Sequence, residues 1–328
     1  MRSYITRALI VTVLAALPTA SCDQGHLVER RTVVAMDTAV ELTAVGTQRD
    51  ELATALDAAV DEIRAIEAAA SLGDPASELS RLNAAAGAEV LSLELAAILD
   101  LALEVAAKSD GAFDPTVRPL LTTYGFTDGE WRVPEAEELA EARELVDYRR
   151  VVYENGALEL PPGFILDLGG IAKGWAVDRA LAVLESAGLA GGLVNAGGDI
   201  ACFGSSPSGA PWRIGIQHPR APEELYAVVE LDGGAVATSG DYERCFERDG
   251  RRYHHLLDPR TGEPVRRAVS VTVTAPSCAE ADAYATAVFV LGPEEGSALI
   301  ETLPGLESLI VDPALDAHAG SDFPAADR

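Results

Sequence analysis

Two oxygen-bearing side chains one helical turn apart, Asp282 and Thr286, stand in the segment SCAEADAYATAVF at residues 277–289. Ser277 and Glu280 have capping-box spacing, so a helix should begin there and carry Asp282, Ala285 and Thr286 on one side. A carboxylate, a hydroxyl and a nearby carbonyl are the hard oxygen ligands that Mg²⁺ or Ca²⁺ accepts. The same pair also suits structural duty, with the acid favouring a helix N-terminus and the hydroxyl bonded back into its own helix.

Other segments hold chemistry of comparable ambiguity. In ILDLGGIAKGWAVDRAL, residues 165–181, a strand ending at Asp167 is followed by two glycines and a helix, which lets backbone amides approach a phosphate. It has the spacing of neither a P-loop nor a dinucleotide fingerprint, and a tight strand-to-helix turn explains it as well. His254 and His255 precede the turn Asp258-Pro259-Arg260-Thr261-Gly262, and neighbouring strand residues face opposite ways, so at most one histidine enters a given site. Ala112-Phe113-Asp114-Pro115 sets an aromatic beside a carboxylate at a helix-breaking turn, and Asn195-Ala196-Gly197-Gly198-Asp199 is a glycine turn between strands.

These residues need elements to position them. Alternation predicts a strand over 33–45, and apolar residues spaced by three and four (Leu56, Val60, Ile63, Ile66) predict a helix over 51–70. Further helices are expected over 93–107, 134–145, 172–187 and 278–291. Strands are expected over 150–153, 158–160, 165–168, 192–195, 199–203, 212–217, 227–231, 253–257 and 269–274, with Asn155-Gly156 as a hairpin signal. Many short strands with interspersed helices make an α+β protein of antiparallel sheets flanked by helices.

The chain has 328 residues, 48% of them apolar, enough for one sizeable core or two joined lobes. With 25 Lys and Arg against 52 Asp and Glu the formal net charge is -27, which repels polyanions, so nucleic acid is not an expected partner. Binding a phosphate-rich small molecule would then require a metal or helix amides to supply positive charge. Residues 1–22 read as an export signal: Arg2 and Arg7, a short apolar run over 8–17, then Thr19-Ala20-Ser21 before Cys22. That ending resembles a lipoprotein lipobox with Thr19 in place of the usual Leu, the alternative being an ordinary cleaved signal. The lipobox implies a lipid on Cys22, and Asp23 implies retention at the inner membrane, facing the periplasm. Cys202, Cys245 and Cys278 form no CxxC pair, which argues against a disulfide framework and a zinc site.

In order, the segments MDT, SELSRLN, DGAFDPTV, LDLGGIAKGWAVD, VNAGGDI, ATSGDYERCF, HHLLDPRTG and EADAYATAVFVLG resemble the ApbE family of FAD:protein FMN transferases. The resemblance implies a T-fold-like architecture of two closely joined lobes with the site between them. It divides the chain into a signal peptide (1–22), a linker (23–32), a flavin transferase domain (33–312) and a flexible tail (313–328). It further implies that Met36, Ala112, Phe113, Asp114, Asp167, Lys173 and Leu256 contact FAD. By the same resemblance Gly170 and Ala285, through their carbonyls, join Asp282 and Thr286 around Mg²⁺. His255 and Asp282 are the catalytic candidates, with His255 as base and Asp258 able to share the task. The acceptor would be a Thr or Ser hydroxyl of an exported protein, such as an electron-transfer subunit of a respiratory complex. One departure bears on the reaction: Leu72 or Gly73 stands where many relatives place a Tyr, which keeps hydrolysis of FAD to FMN and AMP open beside transfer, with non-catalytic FAD binding as a third reading.

Overall fold

The computed structural model describes residues 26–326, excepting 86, 128 and 155. The export signal, Cys22 and Asn155 of the hairpin signal therefore lie outside the described residues. Strands β1 (Leu27–Ala35) and β2 (Thr38–Gly46) pair antiparallel along their length. Read from sequence, 33–45 is one strand. The chain in fact folds back at Met36 and Asp37, both left-handed, with φ of 53° and 58°. Two consecutive positive φ values form the mirror-image turn whose twist suits antiparallel strands, and the apolar alternation runs on through it. Because β1 starts at Leu27, residues 27–32 belong to the sheet and not to a linker.

Helix α1 (Arg49–Ala70) buries Leu52, Leu56, Val60, Ile63 and Ile66 along one stripe. After α2 (Glu78–Ala84), β3 (Glu89–Val90) and α3 (Leu93–Lys108) come α4 (Arg118–Thr123) and α5 (Ala136–Arg143). Strands β4 (Val152–Glu154) and β5 (Ala157–Glu159) join β3 in a small sheet. Residues 165–168, expected as a strand, pair with no strand. The Asn83 side chain takes that role, donating to the Leu166 carbonyl (2.9 Å) and accepting from its N–H (2.8 Å), while Asp167 N–H donates to the Pro115 carbonyl at 2.7 Å.

Helix α6 (Ala172–Ser186) leads into β6 (Gly191–Ala196), β7 (Asp199–Gly204), β8 (Trp212–His218), β9 (Ala221–Leu231) and β10 (Gly233–Gly240). Then follow β11 (Cys245–Arg248), β12 (Arg251–His254), β13 (Ser270–Ala275), α7 (Cys278–Glu301), β14 (Glu307–Val311), β15 (Ala317–Ala319) and β16 (Ala325–Ala326). Helix α7 breaks at Gly292 (φ 79°) before Pro293, where the sequence places its end, and a second helical run continues to Glu301.

The central sheet has the order β1-β2-β6-β7-β10-β13-β14-β15, antiparallel throughout. Strand alternation sorts its side chains into two cores. Ala201, Ala235, Ala237 and Ile310 face the helices α1, α6 and α7, whereas Ile200, Cys202, Val236 and Leu309 face the three-stranded sheet β16-β9-β8. The tail closes this second core with Phe323, while Ala325 and Ala326 pair with β9, so its described residues contribute packing and strand pairing. A third cluster of Leu120, Tyr124, Phe126, Ala142 and Leu257, with Phe246 and Tyr253 against it, forms a smaller aromatic lobe.

Candidate active site

The sequence-selected segments meet at one end of the central sheet. A Cβ built on Gly197, at the β6–β7 turn, would lie 2.5 Å from Thr38 Oγ1, so that turn and the Met36-Asp37 turn are pressed together. Met36 is held by its N–H, which donates to Glu67 Oε1 at 2.7 Å. A methionine with positive φ is a strained backbone that neighbouring structure must enforce, a condition common at ligand sites. Asp199, the end of the glycine turn, is buried and forms an ion pair with Lys173 on α6.

Close contact between α6 and α7 sets the carboxylate of the site. Gly174 packs so tightly that a Cβ there would lie 2.3 Å from the Cys278 carbonyl oxygen. Asp178, one turn further along α6, accepts the N–H groups of Cys278 (2.7 Å) and Ala279 (2.9 Å), the open amides of the first turn of α7. Burial pushes the Asp178 carboxyl up to about 6 against the pull of those two amides. Asp282, buried one turn into α7, accepts the Gly174 N–H at 3.2 Å. Burial also raises its carboxyl above the ordinary range, with Lys173 and the Gly174 amide opposing.

Thr286 lies one turn beyond Asp282, its Oγ1 3.3 Å from Ser239 Oγ on β10. Gly170 faces it: a Cβ there would be 3.8 Å from Thr286 Oγ1 and 3.1 Å from the Phe113 ring. Phe113, Gly170, Thr286 and Ser239 are thus one neighbourhood. A divalent cation fits this donor set. Asp282 is a buried carboxylate whose charge is undercompensated, the cation Lys173 is engaged with Asp199, and the surrounding groups are oxygen donors. Among the described residues no three His, Cys, Asp or Glu side chains gather into a metal centre. One carboxylate would therefore be completed by a hydroxyl, carbonyls and oxygens of a bound phosphate.

His255 follows β12, and its N–H donates to the Arg244 carbonyl at 3.1 Å. Its Nδ1 is buried without a hydrogen-bond partner. Burial, then the Arg244 charge, pushes its imidazole down to about 3, so it is neutral at physiological pH. The ordinary imidazole value near ~6.5 does not hold in this environment. His254 points elsewhere: Nε2 lies 2.8 Å from the Val265 carbonyl, and the ring meets Phe289 edge-on. Asp258 does not share a base role, because both its oxygens are taken up by Arg260 (2.8 and 2.9 Å), with Arg267 at 3.3 Å.

The remaining flavin candidates divide by what their polar groups are doing. Asp167 accepts from Arg118 Nη1 at 3.0 Å and the Gly169 N–H at 2.9 Å. Asp114 is turned inward, accepting from Thr116 N–H (2.8 Å), Thr116 Oγ1 (2.6 Å) and Tyr148 N–H (3.0 Å), so it braces the loop that presents Phe113. Ala112, Leu256 and Ala285 are buried in the main core. Ser239, Arg244 and Arg118 were not singled out from sequence, although the first two lie inside quoted motifs; Asp199 was named only as the end of the glycine turn. A cavity of about 450 Å³ lined by Leu231, Gly233, Thr274 and Pro276 lies at the opposite end of β10 and β13 and holds none of these residues.

Known proteins share this sequence pattern and fold. The family model described as "ApbE family" matches residues 36–310. A Vibrio cholerae protein named FAD:protein FMN transferase is 38% identical over 257 residues, spanning 75% of this chain and 77% of the relative. Its namesake from Treponema pallidum is also 38% identical over 257 residues, 72% and 71% of the two chains. Among solved structures, the ApbE protein of Thermotoga maritima superposes with a TM-score of 0.84 at 34% identity, covering 90% of this chain and 97% of that one. The apo flavinyl transferase ApbE of Pseudomonas stutzeri gives 0.79 at 34% identity, covering 92% and 94%. This chain belongs to the ApbE family.

Proposed function

We propose that the chain is an exported FAD:protein FMN transferase, which moves FMN from FAD to a Thr or Ser hydroxyl of an acceptor protein and releases AMP. The observation that carries this reading is the convergence of Phe113, Gly170, Asp282 and Thr286 in one neighbourhood, with a neutral His255 that feels the charge of Lys173 on the same α6. The acceptor oxygen forms a bond to the FMN-side phosphorus, the bond from that phosphorus to the bridging oxygen breaks, and AMP leaves with the electron pair. Asp282 and Thr286, with the carbonyls of Gly170 and Ala285, would hold Mg²⁺, which would supply the charge neutralisation that a pyrophosphate needs in an acidic protein. His255 takes the hydroxyl proton. Its free nitrogen is a ready acceptor, and the phosphates of FAD offset the cationic surroundings that depress its basicity. Met36, Ala112, Phe113, Asp114, Asp167, Lys173 and Leu256 form and support the FAD cradle.

Location is part of the same proposal: residues 1–22 direct export, and a lipid on Cys22 holds the enzyme at the periplasmic face of the inner membrane. The test is the intact mass of an exported acceptor after incubation with residues 23–328, FAD and Mg²⁺. A gain of one FMN that EDTA abolishes is expected. The second reading, FAD pyrophosphatase activity, is favoured by Leu72, which leans on the main core where relatives place a Tyr. FMN and AMP in solution without a mass gain, across several acceptors, would replace transfer by hydrolysis.

A further inference from the structure

If the chain modifies another protein, that protein must reach His255, and one strand edge leads there. Strands β11 and β12 form a separate two-stranded sheet with the register Cys245↔His254 to Arg248↔Arg251. They are joined by Asp249 and Gly250, both of positive φ (53° and 72°). A two-residue turn makes Arg248 and Arg251 a hydrogen-bonded pair, and the alternation repeats at Phe246 with Tyr253 and at Arg244 with His255, whose N–H···O bond is 3.1 Å. The backbone groups of Cys245 and Glu247 must then point outward, away from β12. No backbone hydrogen bond engages them among the described residues. The opposite edge is less open, since His254 is buried against Val265 and Phe289.

The free edge also differs in charge from the rest of the molecule. Residues 243–267 hold seven Arg against five Asp and Glu in a chain of net charge -27. Arg248 is exposed and forms no ion pair among the described residues, and Trp131, 44% exposed, stacks on Phe246 beside the strand with ring centroids 6.1 Å apart. An acidic segment, repelled elsewhere, finds cations and an aromatic shelf here. Resting on the transferase reading, we propose that an extended, acidic segment of the acceptor adds as a third strand to the free edge of β11 and so delivers its hydroxyl past Arg244 to His255. Main-chain bonds to Cys245 and Glu247 give affinity irrespective of side chain, as in other cases of strand addition, and Arg248 selects carboxylates.

The test uses the holoenzyme with FAD and Mg²⁺ and two fluorescein-labelled peptides, Thr-Val-Asp-Val-Asp-Val and its reverse. Glu247→Pro deletes the outward N–H without removing a bond to β12, so the hairpin survives while the edge is blocked. Glu247→Val controls for loss of the side chain, and Arg248→Glu reverses the charge. Anisotropy should show at least a tenfold weaker complex for Glu247→Pro and Arg248→Glu, and a change within twofold for Glu247→Val. FAD binding with Mg²⁺, read by titration calorimetry, should be the same in all of them. Equal binding by Glu247→Pro and the parent, or no binding of either peptide to the parent, overturns strand addition. Absence of FAD binding to the parent would instead strike the transferase reading itself.

Discussion

Gly174→Ala tests whether the contact between α6 and α7 positions the Asp282 carboxylate. The added methyl would lie 2.3 Å from the Cys278 carbonyl oxygen, 2.6 Å from its carbon and 2.9 Å from the Ala279 Cα. These are backbone atoms, so no rotamer change relieves the clash, and the helices must part by about 1 Å. Overpacking of this kind costs ~1–3 kcal/mol. Parting also stretches the Gly174 N–H···Asp282 bond and the two Asp178 caps, and a hydrogen bond to a charged group is worth ~1.5–3 kcal/mol. A total loss of about 3–5 kcal/mol is therefore expected in urea denaturation, together with weakened Mg²⁺-dependent thermal stabilisation. Gly170→Ala is the contrast. Its methyl meets the end of the Phe113 ring at 3.1 Å and Thr286 Oγ1 at 3.8 Å, so it should cost less than ~1 kcal/mol in the fold while reducing FAD turnover. If Gly174→Ala lost less than ~1 kcal/mol, or if both variants were equally destabilised, the assignment of the α6–α7 contact would be wrong.

Three further outcomes follow from the same structure. Because burial raises the Asp282 carboxyl, its ionisation opposes folding as pH rises past the ordinary carboxylate range, so Asp282→Asn without metal should be at least as stable as the parent at pH 7. Mg²⁺ at a hundred times its Kd should raise the parent's stability by about 2.7 kcal/mol and leave this variant unmoved in a thermal scan. His255 has a depressed folded value of about 3, so its contribution to stability is present above the unfolded value near ~6.5 and is lost as pH falls towards 3. His255→Asn should flatten the stability-versus-pH slope between pH 6 and 4 by about 1.4 kcal/mol per unit, and an unchanged slope would contradict the depressed value. Phe323→Ala should cost about 3–5 kcal/mol by emptying the core between the two sheets, and a loss below 1 kcal/mol in urea would return the tail to a dispensable role.

Local patterns reach as far as the elements they code. The stripe of Leu56, Val60, Ile63 and Ile66 specified α1, and the Ser277–Glu280 box specified the start of α7, where Ser277 Oγ does accept the Glu280 N–H at 3.3 Å. Motif order was enough for family and fold class, because each quoted segment keeps its own local geometry. The turn at Met36-Asp37 was hidden, since Met does not signal positive φ, no glycine marks the turn, and pairing with β2 and the packed Gly197–Thr38 contact enforce it. The stretch 165–168 has strand composition yet takes its hydrogen bonds from the Asn83 side chain and Pro115, partners 83 and about 50 residues away. Sequence alone determined which groups could do chemistry. The tertiary structure decided their charge states and duties: Asp258 is spent on Arg260 and Arg267, Asp114 on its loop, and His255 is held neutral by burial and Arg244. A pKa and a hydrogen-bond vacancy depend on what surrounds a group in space, and those surroundings come from segments far apart in the chain.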